Sequence, residues 1–325
     1  MIRPHHRIHR TAAAILLFGV VAASSPLLAA PARNECSSPP AGTIFCEDFE
    51  GTNPKSRFDD YDGNPDTENQ ITIETGPGGD SSNKSIRFRV PPGERGGSDL
   101  LKVLPGEYDK LYARWYIKFE AGFNFSAPMH GGGLAAGDRS LLGRAGIRPN
   151  GADNAYFVID HNKQATPYAY SYYRGMYQDC TDPNGSCWGD SLPCIYDSGA
   201  YYCTKPAHRP TTTPPTYKAN QWHCVEQLLD LGTPNTSGQN PNGRSALWLD
   251  GTMVGDVSDL WIRTTSSLKI SMLWLSLFHH DGTHSTVGEF IDNVVVSTQP
   301  IGCGSGGSVP AKPNPPSGLQ VIDVK

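Results

Sequence analysis

After the apolar stretch Ala12–Ala23 the sequence contains no run approaching the roughly 18 consecutive apolar residues that a membrane-spanning helix needs. It also lacks any cluster of lysine and arginine, and its 27 basic and 32 acidic residues leave a net charge of −5. That balance speaks against a nucleic-acid partner and against an anionic membrane. No helical apolar stripe of any length appears, which argues against a helical bundle. A serine on a G-x-S-x-G elbow is missing too: Gly304-Ser305-Gly306 has linker surroundings, so a Ser-His-Asp esterase is set aside. The E-x-D-x-(x)-E pattern that would bring two acids to one strand face for glycoside hydrolysis is not found. Glu47-Asp48-Phe49-Glu50 has the acids at the wrong spacing.

The N-terminus carries Arg3, Arg7 and Arg10, then the short apolar run, then Ala30-Pro31-Ala32. A basic start, a short apolar centre and a small-residue site identify residues 1–32 as a signal peptide, which implies a secreted or periplasmic protein. Its removal takes away three arginines and no acid, moving the net charge from −5 to −8. All eight cysteines lie beyond it, at 36, 46, 180, 187, 194, 203, 224 and 303. In an exported chain an even count reads as disulfides, and no C-x-x-C pair with interleaved histidine offers a zinc site instead. Spacing suggests Cys36–Cys46, Cys180–Cys187 and Cys194–Cys203, leaving Cys224 to reach Cys303.

Thirty-five glycines, 27 prolines and recurrent alternation between turn signals indicate an all-β sandwich or barrel over residues 33–303. The clearest strands are Ser85–Val90, Tyr108–Phe119, Tyr156–Asp160, Tyr168–Tyr173, His223–Leu231, Ser245–Asp250, the long apolar and hence central Leu268–Phe278, and Phe290–Ser297. Between Asp179 and Pro215, four cysteines, many Pro and Gly, and Thr211-Thr212-Thr213 predict a stapled loop excursion without strands. Residues 304–325, with Gly304-Ser305-Gly306-Gly307-Ser308 and the prolines up to Pro316, have the composition of a linker or tail.

Six segments in order carry a family resemblance. They are Phe45-Cys46-Glu47-Asp48-Phe49-Glu50, Leu111–Phe119, Met129-His130-Gly131-Gly132-Gly133-Leu134 with Gly137, Gln221–Gln227, Trp248-Leu249-Asp250-Gly251 and Phe290–Val296. Together they resemble the concanavalin-like jelly-roll polysaccharide lyases of the alginate- and glucuronan-lyase group, and within it polysaccharide lyase family 14. The resemblance covers roughly residues 42–302. It implies a jelly-roll β-sandwich that cleaves a uronic-acid-containing polysaccharide by β-elimination. The chain departs from the family pattern at Gly133, where that pattern has a lysine, and at Ala135-Ala136, where it has Pro-Gly. If that lysine is catalytic in relatives, this chain uses another base or has lost the activity. A non-catalytic, lectin-like carbohydrate-binding protein is therefore the alternative.

β-Elimination on a uronate requires a charge to neutralise the carboxylate, a base for the C5 proton, and an acid for the departing oxygen. Arg114, Tyr116 and Lys118 have one parity and so share a strand face, opposite Ala113, Trp115, Ile117 and Phe119. They read either as a basic, aromatic groove or as an ordinary solvated face. His130, before three glycines, reads as a base on a loop that approaches a ligand, or as a mobile tip. Tyr168, Tyr170 and Tyr172 share a face suited to stacking on sugars, with Tyr170 and Tyr172 as proton carriers, or else belong to the core. Arg144 and Arg148 share parity and predict a second basic face for substrate, or surface ion pairs. Glu226 and Gln227 lie on opposite faces, so at most one reaches the groove. Glu226 shares parity with Trp222 and Cys224, which suggests an inward side chain, and Gln227 shares parity with His223. Parity does not choose between them, and Gln227 is carried as the substrate-binding candidate. His279 and His280, near Asp281 and His284, suggest either a metal site or a sugar-contacting loop. Asp48, Glu50 and Asp292, at chain ends that meet in such sandwiches, would suit a structural calcium; no other cofactor is required. The expected partner is an acidic polysaccharide, bound by a monomer with no membrane or nucleic-acid role.

Overall fold

Alternation in Lys110–Phe119 shows how the chain divides its residues. Leu111, Ala113, Trp115, Ile117 and Phe119 enter the main core, while Tyr112, Arg114 and Tyr116 take the other face. The computed structural model describes residues 30–63, 70–77, 81–127, 129–197, 199–284 and 287–304. Most of the expected signal peptide (residues 1–29) and of the tail (residues 305–325) lies outside the described residues.

The described residues form eighteen strands, four short 3-10 turns and no α-helix. In chain order the strands begin with β1 (Thr43–Glu47), β2 (Asp60–Gly63), β3 (Ile71–Thr75), β4 (Lys84–Phe88), β5 (Gly96–Tyr108) and β6 (Lys110–Phe119). Next come β7 (Met129–His130), β8 (Gly133–Gly137), β9 (Asn154–His161), β10 (Pro167–Tyr172), β11 (Asp190–Leu192), β12 (Tyr196–Asp197) and β13 (Ala200–Tyr201). The last are β14 (Trp222–Asp230), β15 (Gly243–Leu249), β16 (Thr252–Leu260), β17 (Ile270–His279) and β18 (Glu289–Ser297).

They make two antiparallel eight-stranded sheets, β16-β15-β14-β6-β18-β4-β3 with β1 on β18, and β11-β10-β9-β8-β17-β5-β2 with β7 on β17. The long apolar strand β17 is central, as its composition implies, between β8 and β5. Between the sheets lie Phe88, Trp115, Phe119, Leu134, Phe157, Leu229, Leu273, Leu275 and Leu277. Each such side chain contributes about 1.5–3 kcal/mol on burial. The fold is the jelly-roll β-sandwich expected, and all four disulfides pair as spacing suggests. β1 pairs with β18, so the two ends of the domain meet.

Three expectations are corrected. The stapled segment is not free of strands: β11 adds to β10, and β12 and β13 form a short hairpin. These pieces of two or three residues are too short to register as alternation. Gln227 does not reach a groove. It is fully buried between the sheets, where its Oε1 accepts from Leu134 N at 2.9 Å and its Nε2 donates to Phe157 O at 2.8 Å. Glu226 takes the outer face instead, accepting from the backbone of Ile301 and Gly302.

Candidate functional site

Pairing register fixes which side chains share the outer face of the second sheet. Tyr168, Tyr170 and Tyr172 stand opposite Asp160, Val158 and Tyr156; Val158 stands opposite Gly133, and Gly133 opposite Trp274. His130 stands opposite Phe278. The result is a nearly continuous aromatic surface across β10, β9, β8, β7 and β17. Part of it is half-buried rather than core: His130, Tyr170, Trp274, Phe278 and His280 all keep partial exposure.

His130 is the polar centre of this face. Its Nδ1 lies 2.6 Å from Asp160 Oδ2, and Asp160 Oδ1 accepts from Gly131 N at 3.0 Å. Asp160 is only 2% exposed, so one buried carboxylate orients both the imidazole and the glycine loop. The His130 ring stacks on Tyr170 at 4.6 Å and meets His280 edge-on at 4.2 Å. Burial, reinforced by the nearby Arg95, pushes His280 down to about 4 and keeps it neutral near pH 7.

The tyrosines form the adjoining wall. Tyr170 and Tyr172 hydroxyls are 3.2 Å apart; Tyr170 accepts from Gly189 N and Tyr172 from Gly146 N. Burial raises the Tyr170 hydroxyl, so it stays protonated. Tyr172 is 1% exposed and stacks on Tyr156, which places it behind Tyr170. Tyr168 borders Asp160 and is half-buried. On the far side, Trp274 donates its indole N–H to Asp99 at 3.1 Å.

The three glycines after His130 are a steric requirement. A Cβ would come within 2.2 Å of Ile159 O at Gly131, 2.5 Å of Trp274 O at Gly132 and 2.0 Å of Phe157 O at Gly133. No side chain, least of all a lysine, fits at Gly133 in this backbone.

Other candidates fall elsewhere. Arg114, Tyr116 and Lys118 do share a face, but it is the outer face of the opposite sheet, covered by the chain ends. Arg114 is 1% exposed, forms an ion pair with Glu35 and donates to Asn293 O at 2.9 Å. Tyr116 donates to Cys303 O at 2.9 Å, and Lys118 to Pro77 O at 2.7 Å. Arg144 and Arg148 are not on a strand; both are exposed on the segment between β8 and β9. That segment nonetheless touches the aromatic face through Gly146, and Tyr156 donates to Arg144 O at 3.5 Å. His279 points inward, stacked on His284 at 4.0 Å, while His280 points outward, so the histidine cluster is split between faces. Asp48 accepts from Cys36 N, and Glu50 from Lys84 N and Arg33. The Lys84 ammonium donates to Glu50 O, and Asp292 accepts from Asn83, Ser85 and Asn293 N. With their oxygens met by protein donors these carboxylates do not fit a calcium ion. No group of three or more His, Cys, Asp or Glu among the described residues could hold a metal.

Asp160, Trp274, Phe278 and Arg95 are site residues that sequence reasoning missed. Asp160 and Trp274 each share parity with other members of the face, a signal that becomes usable only once the partner strands are known.

The chain matches no family model and no curated protein. Solved structures do match. The marine PL-14 alginate lyase from Aplysia kurodai has a TM-score of 0.57 at 15% identity, with 80% of this chain and 100% of that chain covered. For alginate lyase vAL-1 from Chlorella virus the values are 0.55 and 15%, with 78% and 99% covered. For alginate lyase Aly36B they are 0.50 and 15%, with 79% and 96% covered. At this identity the likeness shows a shared jelly-roll β-sandwich fold.

Proposed function

We propose that the protein is a secreted lyase that cleaves a uronic-acid-containing polysaccharide by β-elimination, with His130 as its base. The observation that carries this reading is the Asp160–His130 pair set in an aromatic face. A carboxylate at Nδ1 keeps the imidazole proton there and leaves Nε2 as the acceptor. His130 Nε2 takes the C5 proton, the C5 electron pair forms the C4–C5 double bond, and the C4–oxygen bond breaks. The departing oxygen takes its proton from Tyr170. Tyr170 and Tyr172 each already accept a backbone N–H, so when Tyr172 donates to Tyr170 the Tyr170 proton is free for the ligand. Arg95, which directly precedes Gly96 opposite His279 and so lies beside His280 at the strand end, neutralises the uronate carboxylate in the role that parity alone gives to Arg114. Trp274 and Phe278 supply flat surfaces for sugar rings. Four disulfides support an oxidising, extracellular setting, and no described helix is long and apolar enough to cross a membrane.

One observation favours a second reading. Gly133 stands where the resembling family has lysine, and its backbone has no room for one. A carbohydrate-binding protein without catalysis would keep the aromatic face and dispense with the lysine. Incubation with a panel of polyuronates, followed by far-ultraviolet absorbance of the unsaturated product, separates the two. Product supports the lyase; retention on a polyuronate column without product supports the binding protein; the absence of both product and retention refutes both readings.

A further inference from the structure

The stapled segment and the β8–β9 connection meet at the rim of the aromatic face. Cys187 N donates to Gly146 O at 2.9 Å, and these two stretches hold the Tyr172 and Tyr170 hydroxyls through Gly146 and Gly189. Immediately beside those contacts the chain exposes large apolar side chains. Trp188, adjacent to Gly189, is 39% exposed, and Ile147, adjacent to Gly146, is 57% exposed. The Trp188 ring lies within 3.9 Å of the position a Gly146 Cβ would take, so it overhangs this junction. Next along the chain, the Arg148 guanidinium lies 5.2 Å from the ring of Tyr177, itself 62% exposed.

Single exposed hydrophobic residues are ordinary, but a contiguous set with an arginine at its border marks an interaction surface. This one is also rigid. The Trp188 indole donates to Asp182 at 3.1 Å, Trp188 bridges to Asp179, and Cys180–Cys187 closes the loop. A ring held in place loses little entropy when a flat ligand stacks on it. We infer that Trp188, Ile147 and Arg148 form a second sugar-binding platform, which takes a further uronate residue of the same polymer as it leaves the His130 site. The aromatic indole stacks on the sugar ring and Arg148 meets its carboxylate. The occupant follows from continuity, because the platform is built on the two backbone segments that bound the Tyr170–Tyr172 wall. The inference rests on the polyuronate reading above.

The test compares Trp188→Ala with the unaltered protein on a long polyuronate. Apparent affinity is read as KM where the polymer is cleaved and Kd where it is only bound. Loss of one aromatic contact should weaken binding of the long polymer roughly three- to tenfold and leave the melting temperature unchanged. Equal affinity of the variant and the unaltered protein for the long polymer overturns the platform while leaving the His130 site intact. If the unaltered protein neither cleaves nor binds any polyuronate, the functional reading itself is overturned and the platform with it. Should Trp188→Ala fold poorly, Ile147→Ser and Arg148→Ala, both surface changes, carry the same comparison.

Discussion

Glu289 is a carboxylic acid in the interior of the sandwich, 1% exposed, with Oε2 lacking any hydrogen-bond partner. It lines a small closed cavity with His161, Tyr217 and Phe119 beneath the Gly131-Gly132 loop. Burial alone raises it from 4.5 to about 8. The folded protein therefore holds Glu289 protonated at neutral pH while the unfolded chain ionises it. Stability from this group is complete below about pH 4.5 and is lost as pH rises to about 8. A shift of that size corresponds to roughly 4–5 kcal/mol. Glu289→Gln keeps the shape and removes the ionisation. The new amide brings a fixed cost of about 1–3 kcal/mol if its donors find no partner, but that cost does not change with pH. The informative quantity is thus the stability difference between the two proteins as a function of pH. Urea unfolding with the disulfides intact should show Glu289→Gln gaining about 4 kcal/mol on the unaltered protein between pH 5 and pH 9. His161, pushed down to about 4 by the same burial, is present in both proteins and drops out of the difference. Parallel stability curves across that range would refute the reasoning, since they would mean Glu289 is ionised in the fold.

Three further outcomes follow from the packing. Gln227→Ala should cost about 2–4 kcal/mol in urea unfolding, because Leu134 N and Phe157 O lose a buried partner and a cavity opens between the sheets. Arg114→Ala should destabilise by about 3 kcal/mol while the rate per folded molecule is unchanged, because it leaves Glu35 and the Asn293 carbonyl without their partner on the sheet away from His130. Replacing Cys224 and Cys303 with serine should cost about 2–5 kcal/mol, read as a lower melting temperature, since the bond closes a separation of 79 residues.

Strand alternation made much of the sandwich legible, and its limits explain the errors. Parity placed Arg114, Tyr116 and Lys118 on one face and Trp115 on the other, which is how β6 is built. Parity does not say which of two sheets faces a ligand or what covers an outer face, and here the chain ends cover it through Glu35 and Cys303. Parity with Trp222 and Cys224 points Glu226 inward and so leaves Gln227 for the groove; only the partners of Gln227 across the sandwich reveal a strut. β5 escaped notice since Gly96-Gly97 and Pro105-Gly106 punctuate it like loop sequence. His130 was legible from its glycines, yet Asp160, the residue that orients it, was hidden at the end of an apolar strand. The glycines themselves read as mobility, whereas they are the only residues that clear the neighbouring backbones.

The account turns on His130 acting as the base, and the rate of unsaturated-product formation by His130→Ala on a polyuronate that the unaltered protein cleaves tests it most directly. A positioned base contributes about 10²–10⁴-fold, so the variant should lose at least a hundredfold in initial rate per folded molecule. The folded fraction is measured by circular dichroism, because the change also leaves the buried Asp160 carboxylate without its imidazole. Full activity in a folded His130→Ala protein would contradict the assignment and move the chemistry away from the Asp160–His130 pair.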